Sequence, residues 1–486
     1  LNYRYEVIYF MYSVFLKDKM GGIGVKAKLI LFVVLISTIV LGTTLQRSDE
    51  YLQRQNEVKL AVEFFLTFEE ARDIIMKHYP ELKSDEEVRR FIVDRDIQRR
   101  TIDGVEMYFG EFEHNLFTRD PELVKREPEW SAANTLLVKY LLSEYGPRQT
   151  PFANFKPAFS PYFNPKDYLV EYTVNTERSL LPEKGSLKIW FPLPLQTATQ
   201  ENIYILEVTP EEAVVGVPRI DGDIAYVLLE FDLSDLKEDL NISVKFTFRH
   251  YQQQFDIDPE KVGEYDTESS LYKNYTKSEG SIFFDESFEK LARKIVGEET
   301  NPYLQAKKIY HYVVENILYS YMAHVAIEAE GIPESVYSFE HGYGDCGTQS
   351  IIFSALCRSI GIPARAPGGF QIFTGQLGSH FWAEFYLPNY GWVPVDTSAG
   401  QIATYTLGIT EDERQNFIDY FFGNQDPLRF VVQNSVDFMP DERPADAQFL
   451  EITLQSPFIE SEFGNENLGV TMTILDSFEM KTILLR

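Results

Sequence analysis

HGYGDCGTQSIIFSALCRSIGIPAR, residues 341–365, contains both cysteines of the chain. Asp345 stands where a helix N-cap belongs, and Gly361 followed by Pro363 is a strong stop, so 346–360 reads as one helix. Ile351, Ile352, Phe353, Ala355, Leu356 and Ile360 make it apolar on most sides, which predicts a buried helix. Along that helix Cys346 and Cys357 lie about 16 Å apart at ~1.5 Å per residue. A disulfide needs Cα atoms within about 7 Å, so none is expected between them. Position also separates their chemistry. Cys346, in the first turn, meets the positive end of the helix dipole and free N–H groups, both of which favour a thiolate. Cys357 lies three turns deeper and is expected to act as a small core residue.

The chain downstream reads as strands: GGFQIF, then HFWAEFYL (380–387), a turn at PNYG, then WVPVDTSAG (392–400). By the two-residue period His380, Trp382, Glu384 and Tyr386 share one face, as do Trp392, Pro394 and Asp396. A three-residue loop at 387–389 would set His380 opposite Asp396, with the side chains touching. A loop of one or five residues would change the offset but keep one face, and four would separate them. A thiolate nucleophile needs a base, and the base needs a group that fixes its tautomer. Cys346, His380 and Asp396 supply these types in order. By type alone, each also has an ordinary reading: a buried small residue, a core histidine and a turn residue.

The text around them resembles the transglutaminase-like superfamily, which has a papain-like Cys-His-Asp core. GYGDCGTQSIIFSALCRSIGIPAR is similar to the family's Gly-rich turn, cysteine helix and closing R-x-x-G-I-P-A-R phrase. HFWAEFYLPNYGWVPVDTSAG resembles its paired strands, H-x-W-x-E-x-Y and G-W-x-P-x-D. NPYLQAKKIYHYVVENILYSY looks like its preceding helix, with Asn301 as N-cap and Pro302 at the first helical position, and YFFGNQDPLRFVVQNSVDF like a segment that follows the core. The resemblance spans residues 285–440. It implies that Cys346 is the nucleophile, His380 the general base and acid, and Asp396 its orienter, acting on an amide through a thioester. The backbone amide of Cys346 is the simplest oxyanion donor. Related enzymes add an upstream side chain. Tyr319 and Tyr321 are the candidates here, with core packing at a helix end as the alternative. Trp382 and Trp392 flank the triad as substrate walls or as core, and His341 is expected to shape the rim rather than act as the base.

The rest of the chain frames this core. Its formal charge of −29 favours solubility and argues against nucleic acid, which needs a basic face. With 44% hydrophobic and 14% aromatic residues it can bury a real core. Residues 1–50 read as a cytoplasmic lead and a signal peptide or anchor. The apolar run 29–45 follows Lys26 and Lys28, and Met20 would give a short basic lead. Residues 51–150 read mostly helical, and 151–165 (PFANFKPAFSPYFNP) as an aromatic-rich linker.

Residues 166–260 predict a β-sandwich of about seven strands, among them YLVEYTVNT and ISVKFTFRHY. The catalytic core is expected over 283–440, followed by a C-terminal β segment, 441–486, with strands near 447–454 and 469–475. The fold class is therefore α+β. No cofactor is expected: the triad lacks the close-spaced pairs of a zinc site, and no phosphate loop occurs. The expectation is a thiol amidase or acyltransferase on peptide or protein amides, outside the cytoplasm, held at the membrane by residues 29–45 or secreted. The competing expectation is an inactive scaffold that binds at the cell surface.

Overall fold

The computed structural model describes residues 60–146, 160–372, 378–440, 454–461 and 467–485. The expected membrane segment and residues 151–159 of the expected linker fall outside these residues, whereas 162–165, also expected as linker, already belong to the strand Tyr162–Thr176. Among the described residues no helix is long and apolar enough to cross a membrane.

Two long strands, Tyr162–Thr176 and Leu240–Gln254, form the spine of the sandwich. Tyr168, Val170, Tyr172 and Val174 alternate inward and pair with Phe248, Phe246, Val244 and Ile242. β-Branched and aromatic side chains at period two suit a pleated surface buried on one face. The first sheet adds Phe478–Leu484 beside Tyr162–Thr176, with Gln200–Thr209 and Asn424–Gln425 beside Leu240–Gln254. The second runs Phe458–Ser461, Ser186–Pro192, Tyr226–Asp232, Val214–Arg219.

The stretch 441–486 thus contributes two strands and a helix to the sandwich. The helix, Asn467–Asp476, replaces the strand expected near 469–475. Its β-branched content suggested a strand, but Val470, Ile474 and Leu475 are buried at helical spacing. Of the strand expected near 447–454, only residue 454 is described, and it lies outside any strand.

The first region carries helices with capping boxes at Thr67/Glu70 and Ser84/Glu87. It also holds a small sheet, Phe64–Leu66, Val105–Phe109 and Arg99–Ile102, which the sequence concealed. The hairpin turns at Asp103-Gly104, both in left-handed backbone (φ 50° and 77°). Only Tyr108 and Phe109 of this hairpin are buried, so its charged, exposed arms show no strand pattern.

In the core, Glu286–Val296 and Pro302–Asn316 pack on Cys346–Ser359, whose residues Gly347 to Arg358 are all buried. The observed start and caps match those read from the sequence: Asp345 caps the helix and Gly361 adopts φ 88° after it. Two small sheets lie alongside. One orders Ala364–Arg365, Ala383–Leu387 and Gly391–Val395; the other orders Gly378–Phe381, Gly368–Gln371 and Arg429–Gln433. Gly369 is demanded by close approach in the second, because a Cβ there would sit 2.0 Å from the Phe430 carbonyl oxygen. Phe370, Trp382 and Phe430 run into the sandwich core, so catalytic sheet and sandwich share one apolar interior.

Candidate active site

Cys346 is the first residue of its helix and remains half-buried, while the cap Asp345 accepts from Thr348 N (3.0 Å) and Thr348 Oγ1 (2.7 Å) through Oδ1. Both cysteines are free thiols, and Cys357 is fully buried.

The hairpin supplies the other two groups. Its loop is three residues long but one position later than expected: Leu387 pairs with Gly391, Tyr386 with Trp392 and Ala383 with Val395. Extending that register sets Trp382, not His380, opposite Asp396. A shift of two preserves the face. The strand also breaks at Trp382, so His380 belongs to the neighbouring sheet, paired with Gly369. His380 Nε2 lies 2.8 Å from Asp396 Oδ2, and both residues are buried. Asp396 caps the helix Thr397–Tyr405 through Oδ1, which accepts from Ala399 N at 3.0 Å. One carboxylate thereby starts a helix and holds the imidazole.

Phe381, next to His380, brings this dyad to the nucleophile helix. Its backbone N–H is directed at the Cys346 sulfur. Gly347 packs so closely on its ring that a Cβ would lie 3.3 Å from Cδ2.

Residues that the sequence reading passed over complete the surroundings. Arg429, wholly buried, donates from Nη1 to Asp396 Oδ2 (2.9 Å) and from Nη2 to Asp426 Oδ2 (2.5 Å). Gln455 donates to the carbonyls of Gly369 (2.7 Å) and His380 (2.8 Å), tying together the strands that carry them. His324 lies between Glu334 and Asp345, its ring nitrogens 2.8 and 2.7 Å from their carboxylates. A signal for Arg429 was present: in DPLRFVV two opposite charges three apart run straight into an apolar strand. The long-range partners of His324 and Gln455 left none.

The remaining candidates have other settings. Tyr319 pairs its backbone with Gly344, two residues before the nucleophile. Its ring lies 6.2 Å from the ring of His114, and Tyr321 stacks on His114 at 4.1 Å. Both tyrosines therefore take part in the contact with the first region. Trp382 is 1% exposed, with the Arg429 guanidinium 5.1 Å from its ring, and such burial removes it from any substrate rim. Trp392 packs between Tyr275, Tyr386 and Arg365. It lies four residues along its strand from Asp396, roughly 13 Å at ~3.3 Å per residue. His341 stacks on Tyr337 at 4.0 Å with Nδ1 2.8 Å from its carbonyl.

Charge in the site runs against one expectation. Burial, and next the Asp345 carboxylate, push the Cys346 thiol above its ordinary range, while the Phe381 N–H only partly offsets them. A helix dipole contributes about 0.3–2 kcal/mol. Desolvation of a buried group shifts its pKa by up to ~3–5 units, at ~1.4 kcal/mol each, so desolvation wins. Burial likewise opposes ionisation of Asp396, but His380, Arg429 and Ala399 N–H outweigh it and hold the carboxyl well below its usual range. An ionised Asp396 makes Nε2 the protonated nitrogen of His380 and leaves Nδ1 as the basic one.

Residues 289–397 match the family model described as the transglutaminase-like superfamily. A Haemophilus influenzae protein described as uncharacterized is 25% identical over 317 residues, 57% of this chain and 82% of that one. A proposed cysteine protease from Cytophaga hutchinsonii superposes with TM-score 0.41 and 15% identity, covering 67% of this chain and 93% of its own. The periplasmic domain of TgpA from Pseudomonas aeruginosa gives TM-score 0.26 and 12% identity, covering 52% and 92%. Residues 289–397, the stretch that carries Cys346, His380 and Asp396, are thus a transglutaminase-like domain within a chain of mixed helix and sheet.

Proposed function

We propose that this protein is a thiol-dependent amidase or acyltransferase acting on peptide or protein amides, with Cys346 as nucleophile, His380 as base and acid, and Asp396 as orienter. The observation that carries the reading is the buried His380–Asp396 pair, joined through Phe381 to the first turn of the Cys346 helix. Because the resting thiol is pushed up, attack is coupled to proton removal rather than drawn from a standing thiolate. His380 Nδ1 takes the thiol proton as sulfur bonds to the amide carbon. The oxyanion accepts from the Cys346 backbone N–H, which has no intrahelical partner at the first helical position. The C–N bond then breaks and the amine leaves with the proton from His380. Water or a second amine next attacks the thioester, yielding its proton to His380, and the thiol is regenerated. Action outside the cytoplasm belongs to the same proposal and rests on the apolar run after Lys26 and Lys28.

Iodoacetamide near neutral pH tests the nucleophile directly. Alkylation at Cys346, found by peptide mapping, should be faster than at the buried Cys357, because His380 removes the proton as sulfur attacks, and should slow in His380→Ala. Equal, slow reaction of both cysteines would overturn the reading and favour an inactive cell-surface scaffold, which the raised thiol would also suit. Amine incorporation set against peptide cleavage then separates transfer from hydrolysis, and Cys346→Ser should abolish both.

A further inference from the structure

A second imidazole lies behind the nucleophile's cap. His324, which opens the helix His324–Glu330, has Nδ1 2.8 Å from Glu334 Oε1 and Nε2 2.7 Å from Asp345 Oδ2. A neutral imidazole has one N–H, whereas an ionised carboxylate only accepts. Holding a carboxylate at each nitrogen at these distances therefore calls for both N–H groups, an imidazolium. The helix bearing His324 is itself fixed from the first region: the carboxylate oxygens of Glu63 accept from Val325 N (2.9 Å) and Ala326 N (2.8 Å). Among the charged groups facing this place are Glu334 from the helix Glu334–His341, Asp345 from the cap, and Glu63, the residue before the strand Phe64–Leu66.

Asp345 precedes Cys346 in the chain and keeps its other oxygen on Thr348 as the helix cap. Unneutralised, that carboxylate would repel a thiolate forming beside it. We infer that His324 is the counter-charge of the nucleophile: bound between Glu334 and Asp345, its imidazolium offsets part of the Asp345 charge and lowers the cost of removing the Cys346 proton next to it. The inference rests on Cys346 being the nucleophile. His324 acts through Asp345 and is a positioning residue, touching neither substrate nor reacting atoms. Burial and the Asp345 carboxylate still hold the Cys346 thiol up, so the counter-charge offsets Asp345 only in part. Burial opposes the charge of His324, yet Asp345 and Glu334 hold its imidazole well above its ordinary range, and His324 in turn helps hold Asp345 down at about 2.

The test is the pH profile of Cys346 alkylation, which requires no substrate. His324→Gln should raise the midpoint by about one unit or more, a tenfold or larger loss of rate at neutral pH for each unit. Asp345→Asn preserves the cap, since asparagine caps as well as aspartate, and should lower the midpoint. The double variant should return towards the parent, because the charge that needed cancelling has gone. A His324→Gln midpoint equal to the parent's, or a double variant as far shifted as His324→Gln, would overturn the inference. Should His324→Gln not fold, Asp345→Asn decides alone: a midpoint that does not fall sinks it. The two readings fail separately. Fast alkylation that survives His380→Ala removes the triad, whatever the His324 variants do.

Discussion

At the scale of single residues, Asp396 has the most to do, accepting from His380, Arg429 and Ala399 while starting a helix. Arg429 shares its cation between Asp396 and Asp426 with no exposed surface. Removing a buried partner leaves its charges uncompensated, at about 3–5 kcal/mol. Arg429→Met should therefore lower stability by about that amount in urea unfolding. The placement of Cys346, His380 and Asp396 could be read from sequence because local rules set each (a capped helix start, a two-residue period and a strand end), while their roles came from the family resemblance. Arg429 carried only the local signal of Asp426 three residues before it, and His324 none. Their roles come from partners that only the folded chain brings close, 33 positions away for Arg429 and 21 for His324.

At the scale of elements, the hairpin shows what a sequence pattern can fix. Alternation assigned the faces of His380 and Asp396 correctly, although the loop began one residue later than expected and the register moved by two. A two-residue period is blind to even shifts, so contact survived an error in pairing. It was equally blind to the break at Trp382 that hands His380 to another sheet. Gln455 reinforces His380's strand, adding a hydrogen bond to each carbonyl of the ladder pair Gly369 and His380. Gln455→Ala should cost about 1–3 kcal/mol. It should also slow Cys346 alkylation, whereas a purely global destabilisation would leave the native-state rate at low temperature unchanged. Conversely, the small sheet of the first region stayed hidden because its exposed, charged arms carry no apolar alternation.

At the scale of the whole molecule, buried histidines set how the chain meets acid. Burial lowers His114 to about 4, and burial together with Arg429 lowers His250 to about 3. Both fall below the ~6.5 of an exposed imidazole. The unfolded chain therefore takes up these protons first as pH drops, and stability should decline from about pH 6.5 downwards. His324 runs the other way: its folded value is raised, so its contribution is full at low pH and is lost only as pH rises through that value. His114→Phe, which keeps an aromatic ring beside Trp130 and Tyr321, should flatten the acid limb. In calorimetry, its melting temperature relative to the parent should improve steadily from pH 6.5 to 4. A constant offset would exclude this role.

The sandwich closes with the last strand of the described chain: Thr176 hydrogen-bonds to Ser477, 301 positions later. During translation the strand Tyr162–Thr176 must therefore wait beside the ribosome with one flank unpaired. At roughly 5–20 residues per second the wait lasts roughly 15–60 s. For that interval the nascent polypeptide offers an open β-edge to any neighbour, and two chains on one polysome are the nearest neighbours of all. The surplus of 74 acidic over 45 basic residues gives such siblings a reason to stay apart until the seam is closed.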